Sequence, residues 1–197
     1  MTDSQPDNPG IPVSSLVRAY QCPRRYYFSR HDPVPVSDRY IICKQVSLTG
    51  AVMNEEEIWD QVSMVHPDID PGMRAYLSEC LTRVSRMPAV SWTESDISVS
   101  SPRLGIHGMI DKYDSGTEKM SVVRCTRAPA AGCWPADRIR VAAYLLCLLE
   151  TGGISLPGGY IEYIPDGIIR YCEPGPRDRR ALLQAAAMTR RINQGEL

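Results

Sequence analysis

The stretch LGIHGMIDKYD, residues 104–114, is a short apolar run that closes on alternating charge, and both of its neighbours share that texture. Before it, SWTESDISVSS (91–101) alternates polar and apolar positions, the period of a half-buried strand. After it, KMSVVRC (119–125) makes a third run, with Gly116 in the DSGT turn between the last two. The three runs predict a meander of three strands.

Helical patterns surround the meander. SSLVRAYQCPRRYYF (14–28) predicts a first helix capped by Ser14 or Ser15, ending near Cys22-Pro23, with Leu16 and Tyr20 facing inward. RYIICKQVSL (39–48) alternates weakly and reads as a strand or an extended connection. GAVMNEEEIWDQV (50–62) predicts a helix whose acidic first turn suits the positive end of its dipole. HPDIDPG (66–72) is loop chemistry, and MRAYLSECLTRVSRM (73–87) carries an apolar stripe at helical spacing. Asp137 opens a strong helix, DRIRVAAYLLCLLE, that stops at Gly152-Gly153. GGYIEYIPDGIIRYCE (158–173) reads as a hairpin turned by Pro165-Asp166-Gly167, and RDRRALLQAAAMTRRINQ (177–194) as a last helix. Helices, a mainly antiparallel sheet, a helix, then a hairpin and helix define an α/β or α+β fold.

Composition sets the outer bounds. The first ten residues, MTDSQPDNPG, read as a disordered, solvated tail, and residues 11–197 as a single domain. A formal net charge of -1 makes any nucleic-acid site a local patch rather than a global field. The longest apolar run, VAAYLLCLLE, is about half the roughly 20 residues that a membrane span needs. With no secretory signal pattern, a cytoplasmic protein without a membrane partner is the expectation. Seven cysteines, none in a CxxC pair, read as mostly reduced thiols on apolar faces.

Over nearly all of residues 11–197 the order of these phrases resembles the CRISPR-associated RecB-like exonucleases, the Cas-four family. Four phrases carry the likeness: SSLVRAYQCPRRYYF with its Cys-Pro-Arg, LGIHGMIDKYD as a G-x-x-D strand, the helix DRIRVAAYLLCLLE, and the hairpin GGYIEYIPDG. The resemblance implies a PD-(D/E)XK, restriction-endonuclease-like core, a mixed sheet flanked by helices. It also implies a divalent metal, Mg²⁺ or Mn²⁺, held by Asp and Glu, with a Lys near the attacked phosphate. Partners would be single-stranded DNA or DNA ends, and the integrase proteins of CRISPR antiviral defence.

Carried over by position, the family's site is uneven. Gly108 and Asp111 match the G-x-x-D phrase. On the E-x-K strand, Arg124 stands for the Glu and Thr126 for the Lys, with Arg127 one position on. On the helix, Arg140 stands for a Gln and Tyr144 matches a Tyr; the family's His falls at Asn54. A Glu→Arg change puts a fixed cation where the metal would sit, a repulsion of about 4 kcal/mol at about 4 Å and an effective dielectric of 20. The same arginines attract a phosphate directly. The expectation is therefore a pseudoenzyme that holds DNA without cutting it. The alternatives are an active exonuclease using Asp111 with Glu94 as second ligand, and a structural subunit of a protein assembly. Cys22 matches the first ligand of the family's iron–sulfur cluster; the chain carries no matching group of three near its C-terminus, so no cluster is expected.

Each site residue also has a plainer reading. Asp111 reads equally as a turn residue before Tyr113, and Arg124 and Arg140 as surface groups or as ion-pair partners of Asp111. Tyr144 shares an apolar face with Val141, Leu145 and Leu148, which suits core packing. The RRYYFSR cluster, with Arg24, Arg25, Tyr26 and Tyr27, has the cation-plus-aromatic mix of single-strand binders, and equally the makeup of a helix end packed in a core.

Overall fold

The computed structural model describes residues 10–49 and 52–196, so all but Gly10 of the tail expected at residues 1–10 lies outside the described residues. The chain begins with β1 (Ile11–Pro12), α1 (Val13–Gln21), α2 (Pro23–Ser29), α3 (Asp38–Thr49), α4 (Glu55–Val65) and α5 (Met73–Val84). The meander follows as β2 (Glu94–Ser101), β3 (Ile106–Asp114) and β4 (Lys119–Arg124). Then come α6 (Pro135–Gly152), β5 (Gly159–Tyr163), β6 (Ile168–Cys172) and α7 (Pro176–Asn193), with a 3-10 turn at Ile164–Asp166 inside the hairpin. This is a mixed α/β fold: a six-stranded sheet with helices packed against it.

The meander and the hairpin form as their alternation predicts, through antiparallel β2–β3, β3–β4 and β5–β6 pairings. Two parallel pairings complete the sheet, β1 with β3 and β4 with β5. The second requires a long crossover, supplied by α6. Asp137 lies in the first turn of α6, behind Pro135 at its first position, and Gly153 ends the helix with φ 68°. Its N–H reaches back to the carbonyls of Leu148 and Leu149, a closure that a left-handed glycine makes without strain.

One sequence expectation fails. Residues 39–48 are neither strand nor connection but the body of α3. Ser37 accepts the backbone N–H of Tyr40 at 3.3 Å, and Asp38 begins the helix, so an N-terminal signal was present. β-branched Ile and Val weaken helix propensity only slightly, and burial of Ile42, Cys43 and Val46 outweighs that cost. The first helix also starts two or three residues early, at Val13, with no side-chain cap from Ser14 or Ser15.

The core has two main parts. Residues of α1, α6 and α7 pack with Ile106, Ile110, Val122 and Ile161 of the sheet. α3, α4 and α5 form a second cluster with Val123 of β4 and Ile164. Cys43, Cys80, Cys147 and Cys172 are buried, as expected of thiols on apolar faces. Burial pushes the Cys147 and Cys172 thiols up to about 12.

Candidate functional site

The sheet is forked at its centre. β2 pairs along β3 from Ile106 to Tyr113, so the other edge of β3 is shared between β1, at Ile106 and His107, and β4, at Lys112 to Asp114. Between these two neighbours, Gly108 to Asp111 have no strand partner on that edge. A cleft of about 900 Å³ opens there, bounded by Gly108, Asp111, Arg124, Arg140 and Tyr144.

Asp111 bridges the fork. It is buried in mid-strand rather than placed in a turn. Its Oδ2 accepts the backbone N–H of Val123 at 2.8 Å, replacing a ladder bond that β3 does not supply. Its Oδ1 accepts the Tyr40 hydroxyl, and Lys44 Nζ lies 3.6 Å away. Burial first, then the neighbouring Asp111 carboxylate, pushes the Tyr40 hydroxyl far above the ordinary phenol range, so it stays a donor.

Gly108 and Tyr144 belong together for a steric reason. A Cβ on residue 108 would lie 2.7 Å from a ring carbon of Tyr144 and 3.3 Å from the Val13 side chain. The ring therefore needs glycine beneath it. Tyr144 is buried, as the core reading expected, yet its edge borders the cleft. Burial raises its pKa, against the opposing pull of Arg140.

The register from Ser95↔Lys112 to Ile97↔Ile110 sets Asp96 opposite Asp111. Asp96 has φ 56°, a left-handed conformation uncommon outside glycine. Two carboxylates facing across strands repel. Lys44, from α3, lies between them and pairs with both. Asp96, not Glu94, is thus the second carboxylate of the cleft; Glu94 pairs in register with Tyr113, is exposed, and does not border it.

Arg124 and Arg140 do reach the cleft, but neither forms an ion pair with Asp111. Both turn to Asp137 on α6: Arg124 Nε lies 2.8 Å from its Oδ1, and Arg140 Nε 3.9 Å from the same oxygen. Tyr163 donates its hydroxyl to the other oxygen at 2.9 Å. The angle at Arg124 and the distance at Arg140 leave both buried Nε atoms without a hydrogen-bond partner among the described residues. Asp137 is 2 % exposed, so it holds two cations at the cleft while meeting little solvent itself.

Thr126 does not border the cleft. β4 ends at Arg124, and Thr126 lies in a bend beyond it, bordering a different cavity together with Arg127. Asn54 caps α4 in a reciprocal box with Glu57 and takes no part in the cleft. Tyr26 is 4 % exposed, donates to Asn193 Oδ1 at 2.9 Å and packs with Ala19 and Ile192, so no base can stack on it. Arg24 and Arg25 are exposed; Tyr27 is half-buried with the Arg30 guanidinium over its ring. Cys22 is exposed between α1 and α2.

A second polar centre escaped the sequence altogether. Lys112 and Glu162, each side chain 1 % exposed, pair at 2.7 Å. Ser47 donates to Glu162 at 2.9 Å, Ser121 also donates to it, and Lys112 reaches the carbonyl of Ser47. Tyr40, Lys44 and Ser47 are spaced i, i+4, i+7 along one side of α3. That spacing was the available signal for both centres, hidden by reading the segment as extended.

Among the described residues no three His, Cys, Asp or Glu side chains converge as metal ligands. Asp96 and Asp111 share Lys44, and both Asp111 oxygens are already engaged. The pair therefore does not fit a divalent cation in this arrangement. No described helix is long and apolar enough to cross a membrane. The chain matches no protein-family model and no curated protein.

Proposed function

We propose that this chain is a RecB-like relative of the CRISPR-associated exonucleases whose cleft holds the backbone of single-stranded DNA or a DNA end without hydrolysing it. One observation carries the reading. Arg124 and Arg140 border the forked sheet, each held on its Nε side and charge-balanced from behind by Asp137. A phosphate at the cleft mouth would receive forked hydrogen bonds from guanidinium groups held in place before it arrives. With Lys44 shared by Asp96 and Asp111, no carboxylate pair is left to bind metal. The integrase proteins of spacer acquisition are the protein partners that go with this reading.

Fluorescence anisotropy of end-labelled single-stranded DNA over a salt series tests it. Binding should weaken linearly in log salt, and Arg124→Gln should lower the slope by about one phosphate contact. Degradation of the DNA with Mn²⁺, abolished by Asp111→Asn, would make the protein an exonuclease instead. Salt-independent behaviour with no DNA bound would leave a structural subunit.

A further inference from the structure

Beyond the end of β4 lies a second cavity, of about 660 Å³, bordered by Arg39, Arg83, Thr126 and Arg127. It shares one wall residue, Cys125, with the Asp111 cleft, so the two adjoin just past the end of β4. We propose that this cavity is a phosphate-binding site, distinct from the cleft and standing without the reading given to it.

Three arginines from three separate elements converge here, and none of them forms an ion pair among the described residues. Two carboxylates, Glu79 and Asp166, also border the cavity, which leaves it one positive charge in excess. Opposite charges around a shared space without pairing leave room for a ligand between them. Asp166 is moreover occupied, accepting the backbone N–H of Ala128 at 2.8 Å. That bond anchors the segment carrying Thr126 and Arg127.

The other two arginines are also anchored. The Arg39 guanidinium lies 5.3 Å from the centroid of the Tyr76 ring, and the Tyr76 hydroxyl contacts Cys43 Sγ at 3.3 Å. A stacked guanidinium keeps its in-plane N–H donors free for an anion. Arg83 is fixed through its backbone. A Cβ at residue 167 would meet the Arg83 carbonyl oxygen at 2.3 Å, so the hairpin turn closes directly on the end of α5. Gly167 has φ 62°, which suits glycine on both counts. Guanidiniums on anchored segments, with a nearby Thr hydroxyl, are a donor set for the tetrahedral oxygens of a phosphate.

The phosphate could belong to a nucleic-acid backbone continuing from the cleft or to a small free phosphate compound. Calorimetric titration with pyrophosphate and anisotropy with a labelled single-stranded oligonucleotide separate these sources. Wild type should bind pyrophosphate, and the pair Arg39→Gln, Arg127→Gln should weaken that binding at least about tenfold. Arg83→Gln should weaken it too, while Arg86→Gln, outside the cavity, should not; thermal melts check that every variant is folded. If the cavity variants also weaken the oligonucleotide and pyrophosphate competes with it, the ligand is a nucleic-acid backbone. If pyrophosphate binding alone responds, the ligand is a free phosphate compound. No pyrophosphate binding by wild type, or binding indifferent to all three cavity arginines, overturns the proposal. Oligonucleotide binding lost in Arg124→Gln, with neither oligonucleotide nor pyrophosphate binding changed in the cavity variants, overturns it while leaving the cleft reading intact.

Discussion

Arg124 Nε lies 2.8 Å from Asp137 Oδ1, joining the end of β4 to the first turn of α6. The contact explains how two arginines stand at the cleft of Asp111 without unbalancing a buried site. Asp137 supplies the counter-charge from behind, and Tyr163 satisfies its second oxygen. Asp137→Ala should therefore be costlier than an ordinary surface change. Removing one partner of a buried pair costs about 3–5 kcal/mol, and urea denaturation should show a midpoint shift of that order.

Lys112 and Glu162 offer a sharper test, because both are sealed from solvent. Lys112→Met alone leaves a buried carboxylate without its cation and should cost about 3–5 kcal/mol. Adding Glu162→Leu removes the stranded charge and should recover part of that loss. The coupling read from such a double-mutant cycle should exceed about 1 kcal/mol.

Gly108→Ala should destabilise the fold by about 1–3 kcal/mol, the usual cost of overpacking. Its cause is the Tyr144 ring lying where the new methyl would go. Tyr144→Ala should cost stability by itself, yet Gly108→Ala should be better tolerated in that background. Equal effects of Gly108→Ala in both backgrounds, measured by thermal melts, would rule the contact out as the reason for the glycine.

Asp178 should make part of the stability dependent on acid. Arg138 donates to both of its oxygens, at 3.0 and 2.6 Å, and the Gly175 N–H adds a third bond at 2.8 Å. These bonds, Arg138 foremost, hold the carboxyl below the usual aspartate range. A carboxyl depressed in the folded state adds stability that is fully present above its unfolded pKa of about 3.9 and is lost as pH falls through the lower folded value. Asp178→Asn should thus be less stable than wild type near neutral pH, by about 1–2 kcal/mol for a partly exposed charged pair. The gap should close as the pH drops below about 4.

Local pattern made much of this molecule legible in advance. Alternation, short apolar runs and turn residues marked out β2, β3, β4 and the closing hairpin, and the Gly152-Gly153 stop marked the end of α6. Asp111, Arg124, Arg140 and Tyr144 do meet at one cleft. What failed was α3, whose weak alternation concealed a helix with Ser37 at its start. Tyr40, Lys44 and Ser47 went unseen with it.

The division has a physical basis. Turn chemistry and hydrophobic period act between residues a few positions apart, so the sequence determined the strands, most helices and the apolar faces by itself. Ion pairing acts through space between segments far apart in the chain. Only the tertiary structure could decide that Lys44 meets Asp96 and Asp111, that Arg124 and Arg140 turn to Asp137, and that Lys112 finds Glu162. A charged side chain shows its chemistry in the sequence, but its partner is chosen by which elements the sheet brings side by side.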